Sequence, residues 1–123
     1  MVTSWIILAS IIALFIANAY IVKRETTAVC DDIELAIKAV EEEKVDEAEK
    51  IIFNINKNWK KTSKKIIYIF PHSQIEEIGR IILLAKQHIA ERDLNDAVLR
   101  LKEVDYLVKL LKRREKITLD NIF

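Results

Sequence analysis

Apolar residues follow two different patterns along this chain. Residues 5–22, WIILASIIALFIANAYIV, form a continuous apolar run without a charge. Beyond it, apolar positions recur about every 3.5 residues, the spacing that gathers one stripe of side chains on one side of a helix. Val22, Thr26, Val29, Ile33, Ala36 and Val40 form the first seam, closed by the polar run Glu41-Glu42-Glu43-Lys44. Ala48, Ile52, Ile55, Trp59, Thr62, Ile66 and Ile69 form the second, with Asp46 as expected N-cap and Pro71 as its stop. The third seam is Ile75, Ile78, Ile82, Ala85 and Ile89, opened by a capping-box pattern, Ser73-Gln74-Ile75-Glu76. The polar break Arg92-Asp93 precedes the fourth, Leu94, Ala97, Leu101, Val104, Val108 and Leu111, with Asp93 as its expected cap.

Four such segments with short connections predict antiparallel neighbours in a bundle. The expected fold is all-α: an N-terminal transmembrane helix continuing into an antiparallel four-helix bundle. The boundaries are residues 1–22 for the anchor, 23–116 for the bundle and 117–123 for a C-terminal tail. Stacked helical hairpins of repeat type are the alternative. Gly79 falls inside the third helix, where it costs about 1 kcal/mol relative to Ala. The expected reason is close approach of a neighbouring helix.

Eighteen helical residues rise about 27 Å, near the hydrocarbon thickness of a bilayer. Trp5 and Tyr20 stand near the ends of the run, where amphipathic rings favour the headgroups. Ala17-Asn18-Ala19 fits a signal-peptidase pattern, but no Lys or Arg precedes the run and it is long for a signal core. An uncleaved anchor is therefore expected, with the protein in the cell membrane as a single-pass chain.

Composition changes this picture little. The net charge is +1, which excludes a global field for nucleic acid. One Gly and one Pro leave few residues for tight turns. The single Cys30 cannot form an internal disulfide.

Charge distribution changes it more. Folding the segments up and down brings three basic groups to the membrane end: Lys23 and Arg24; Lys57, Lys60, Lys61, Lys64 and Lys65; and Lys109, Lys112, Arg113, Arg114 and Lys116. Set against Glu25 and Glu115, these twelve cations give a local charge of +10, so the rest of the chain carries −9. Anionic headgroups attract such a surface by about 1 kcal/mol per basic residue. The apolar run Ile66-Ile67-Tyr68-Ile69-Phe70 stands beside it, able to dip into the interface.

Candidate chemistry is sparse. His72 and His88 are sixteen residues apart, about 24 Å along a helix, and cannot share one metal ion. Cys30 has no nearby His to activate it. No phosphate loop, metal motif or nucleophile motif is present. Trp59, on a seam, reads as core and not as a base-stacking platform. Neither catalysis, a cofactor, a small-molecule substrate nor a nucleic-acid partner is expected.

The chain resembles a family of small single-pass membrane proteins of unknown function from spore-forming Gram-positive bacteria. The residues that carry the resemblance are the N-terminal apolar helix, Trp59 with the lysines after it, Pro71-His72 ahead of Ile75-Glu76-Glu77-Ile78, and the Leu-x-Asn-Ile-Phe ending over residues 119–123. The resemblance implies an accessory protein with a second membrane protein as partner. It also implies an extracytoplasmic domain, whereas Lys23 and Arg24 after the anchor favour the cytoplasmic side by the positive-inside rule. The outside is the expectation adopted.

From these readings the expected function is a membrane-anchored helical scaffold or accessory subunit acting through protein contacts. An anionic-lipid surface sensor is the alternative. The expected contact residues are Ile67, Tyr68 and Phe70, with Leu119, Asn121, Ile122 and Phe123 at the C-terminal end. The oligomeric state is left open, because such seams can be satisfied within one chain or between chains.

Overall fold

A computed structural model describes residues 2–122 of the chain, with side chains through residue 114. Four helices make up the fold, and no strand occurs among the described residues. They are α1 (Val2–Glu41), α2 (Val45–Ile66), α3 (His72–Ala90) and α4 (Leu94–Ile122). α1 packs on α2 and α4, and α3 packs on the same two. α1 and α3 are thus diagonal in a four-helix bundle.

Every seam position named from the 3.5-residue period is buried, apart from Leu94 and Ile69, which are half-buried. Ile33, Ile52, Ile55, Ile66, Ile78, Ile82, Ile89 and Leu101 are fully enclosed. Each contributes about 1.5–3 kcal/mol of transfer free energy. Ile81 joins them beside the third seam. Trp59 is core, its indole lying over Gly79, where an added Cβ would sit 3.4 Å from Nε1. It is this side chain, not a neighbouring backbone, that comes closest to the glycine.

Two helix starts differ from expectation. α2 begins at Val45 with Lys44 as N-cap, so Asp46 lies inside the first turn. α3 begins at His72 with Pro71 as N-cap, and neither start carries a side-chain cap. A chain reversal sets the first of these starts. Glu43 adopts φ 60°, and the Lys44 N–H donates to Ala39 O over 2.8 Å. The α3–α4 turn repeats this geometry: Arg92 adopts φ 63°, and the Asp93 N–H donates to His88 O over 2.8 Å. Both are left-handed helix terminations that usually use glycine. The chain has its only glycine elsewhere, so the turns carried no glycine signal.

α4 also runs further than expected. Residues 117–122 continue its helix, so Lys112, Arg113 and Arg114 do not occupy its last turn. The side chains of Leu119, Asn121 and Ile122, and all of Phe123, lie outside the described residues.

Candidate lipid-facing pole

α1 is unbroken from Val2 to Glu41, about 60 Å of helix. Burial in the bundle begins only at Ala19 and Val22. Before them the helix projects alone. Val2, Trp5, Ile6, Ile7, Leu8, Ile11, Ile12, Leu14, Ile16 and Tyr20 are between 36% and 74% exposed. An exposed apolar stretch this continuous marks an interaction surface, for lipid or for another chain. α1 is the one described helix long and apolar enough to cross a membrane. Ser10 within it donates its hydroxyl to Ile6 O over 2.8 Å, so that polar group is satisfied inside the helix.

The junction with the bundle is polar and tightly bonded. Thr26, fully buried, donates to Val22 O over 2.6 Å. Glu25 gathers α2 onto α1. It accepts from Lys65 Nζ at 2.6 Å and from Thr62 Oγ1 at 3.0 Å, and Arg24 stands 3.4 Å away. The Lys65 hydrogen bond, opposed by partial burial and helped by Thr62, holds the Glu25 carboxyl below its ordinary range. On the other side Lys112 donates to Thr27 Oγ1 over 2.9 Å, tying α4 to the same level.

The two lysine-rich groups therefore meet α1 within three residues of each other, at residues 25 and 27. Glu25 lies only about 5 Å beyond Val22 along the helix. Lys65, Lys112 and Arg24 are engaged within the protein. Lys23, Lys57, Lys60, Lys61, Lys64 and Arg113 are exposed. Arg114 lines a groove of about 330 Å³ between α3 and α4 with Gln74, Ile78 and Leu111.

The pairing of Thr62 with Glu25 fixes the antiparallel register of α1 and α2. α2 ends one turn further on, at Ile66, and residues 67–70 make the turn into α3. Tyr68, in the turn after α2, is 95% exposed. Phe70 is a correction to the expected contact surface. It is buried and belongs to the core, while Ile67 is half-buried against that core. Only Tyr68 of the three is free for contact.

Cys30 is buried, as its place beside the seam suggested. Burial first, and then the Asp105 carboxylate, push its thiol up to about 11. His72 pairs with Glu76 on the α3 surface, 2.8 Å from Nε2. His88 lies at the opposite end of α3. Sequence reasoning tested it only against His72 and missed its neighbours. Its Nδ1 faces Asp93, and Asp96 comes beside them. The spacing His-x₄-Asp-x₂-Asp across a helix–helix turn was the available signal.

Comparison with known proteins follows the same outline. The family described as a domain of unknown function (DUF4363) matches residues 15–122. The chain belongs to that family. The match starts within the projecting apolar stretch and extends to the end of α4. No curated protein and no solved structure matches the chain.

Proposed function

We propose that this DUF4363 chain is a single-pass membrane protein whose bundle stands on the bilayer surface as a scaffold or accessory subunit, acting by contact and without catalysis. One observation carries the proposal: a single helix passes from the exposed apolar stretch into the bundle core with no linker. A bundle so attached is held against the lipid surface, with its exposed lysines turned toward the headgroups. Cleavage after Ala19 would cut mid-helix, one turn before the buried Val22, which favours an uncleaved anchor. Ala9, Ala13 and Ala17, all exposed, recur every fourth residue along the anchor. Small residues at that spacing let a second membrane helix approach closely, which favours a membrane-protein partner. The resemblance to small proteins of spore-forming Gram-positive bacteria, and the extracytoplasmic placement of the domain, belong to the same proposal.

A photo-crosslinking residue in place of Tyr68, introduced into the full chain in native membranes, tests the proposal. Adducts to lipid and to one recurrent membrane protein are the expected result. Release of the chain from membranes by alkaline carbonate would overturn it. An impermeant thiol reagent on a Lys57→Cys chain reports the side of the membrane. Cys30 does not serve, since it is buried and protonated.

The lipid-sensor alternative draws on the exposed lysines at positions 57, 60, 61 and 64. Full chain in nanodiscs separates the two readings. A sensor gains amide-exchange protection on α2 in anionic discs and loses it at high salt. A scaffold shows the same α2 protection in neutral and anionic discs.

A further inference from the structure

The bundle end opposite the lipid-facing pole carries a different chemistry. α3 ends at Ala90, and Arg92 in the left-handed region turns the chain back. The Asp93 N–H then closes on His88 O, which swings the Asp93 carboxylate over the last turn of α3. Asp93 Oδ2 comes 3.7 Å from His88 Nδ1, too far for a hydrogen bond. That Nδ1 is sealed from solvent and has no hydrogen-bond partner. Asp96, in the first turn of α4, adds a second carboxylate. One ligand atom from each of the three residues lies within 4.8 Å of the other two.

A buried ring nitrogen without a partner costs free energy unless something occupies the space it faces. Two charged carboxylates side by side repel. A dication answers both. Donors bound to an ion at about 2.0–2.2 Å stand some 3.4 Å apart in a tetrahedron. The present spacings reach that by small rotations of two exposed aspartate side chains. One imidazole nitrogen and two carboxylate oxygens are a borderline donor set, suited to Zn²⁺ or Mn²⁺, with a further position open to water. The surroundings are acidic. Glu91 adjoins the turn, and Glu49 is tied to it through Arg92. Such a field raises the local concentration of cations.

We propose that His88, Asp93 and Asp96 form a divalent-cation site of the zinc class, clasping the α3–α4 turn at the membrane-distal end. The test titrates Zn²⁺ into the chelator-treated, untagged full chain in detergent, with affinity read by competition against a chromophoric chelator. Co²⁺ absorption reports the coordination geometry, and its change in His88→Gln reports the imidazole. One saturable ion per chain is expected. Affinity falls about tenfold or more in Asp93→Asn, Asp96→Asn and His88→Gln, since even losing a group that only hydrogen-bonds a metal ligand costs about 10–100-fold. Asn at position 93 still caps a helix, so that variant keeps the turn and separates lost ligation from lost folding. His72→Gln removes the histidine paired with Glu76 at the other end and leaves binding unchanged. Absence of saturable binding overturns the proposal. So does wild-type affinity in Asp93→Asn and Asp96→Asn, or loss of binding in His72→Gln.

Discussion

Gly79 offers a test in which two effects compete and the structure sets the sign. The residue lies within α3, where glycine costs about 1 kcal/mol relative to alanine. That cost invites a steric reason, and Trp59 is the candidate. A Cβ on residue 79 would stand 3.4 Å from Trp59 Nε1 and 3.5 Å from Cδ1. Both are ordinary van der Waals separations, so the indole keeps its place and each contact adds about 0.1–0.2 kcal/mol of dispersion. Gly79→Ala should stabilise the chain by about 1 kcal/mol. For a unit of roughly 100 residues this raises Tm by about 4 °C. Urea unfolding of the full chain in detergent, followed by far-UV circular dichroism, should show a higher midpoint at unchanged slope. Gly79→Leu should reverse the sign by about 1–3 kcal/mol, because a branched side chain must displace the indole. A destabilised Gly79→Ala chain would refute the reasoning, since Trp59 would then be too tightly held to accept a methyl group.

Glu43 is exposed at φ 60°, so Glu43→Gly should raise stability by about 0.5–1 kcal/mol in the same unfolding assay. Arg92→Gly should gain less, because Arg92 also bonds Glu49 and Ile89 O. Glu25 has a folded pKa below its ordinary 4.5, so its contribution is complete above that value and is lost as pH falls through the folded pKa. Glu25→Gln should therefore flatten stability against pH on the acid side and leave the slope near pH 7 unchanged. The Cys30 thiol, raised from 9.0 to about 11, should resist maleimide at neutral pH and react once urea unfolds the bundle. Its contribution has the opposite sign: stability should fall as pH rises above 9, where the unfolded thiol ionises first.

Burial was legible in the sequence because the 3.5-residue period records which side of each helix meets its neighbours. Thr26 and Thr62 sat on seams despite their hydroxyls, and both are buried with partners, Val22 O and Glu25. Helix ends were less legible. Asp46 and Ser73 carried capping patterns, yet the chain enters α2 at Lys44 and α3 at Pro71. Left-handed Glu43 and Arg92 make the reversals, and neither residue type announces that conformation. Phe70 read as the end of an apolar run facing lipid. It instead closes the core below Ile66, since α2 stops there and the following turn folds inward. The His88 cluster escaped for the same reason as the turns: its three ligands converge only through the left-handed residue between them.

The absence of a linker decides what the basic pole can do. A charge on a flexible tether samples many heights, and screening removes its attraction beyond about 8–10 Å. Here the heights are fixed by the helix. Lys64 and Lys65 lie at the level of Glu25, about 5 Å from Val22, whereas Lys57 stands a further 10–12 Å up α2. On the proposed membrane placement Lys64 would sense headgroup charge strongly and Lys57 weakly, although both share one helix side. Tilt alters this order. A transmembrane helix tilts by about 20° on average, and the bundle extends about 33 Å along α1 from Ala19 to Glu41. A rigid tilt of that size carries the distal end sideways by about 11 Å and lowers one flank of the base toward the lipid. Lysines on α2 and Arg113 on α4 occupy different flanks, so on that placement anionic headgroups would pull on both and oppose tilting either way. An upright bundle with its distal end held in place is the posture a contact scaffold requires. The charge that would draw the proposed bundle to lipid would thus also orient it for a partner.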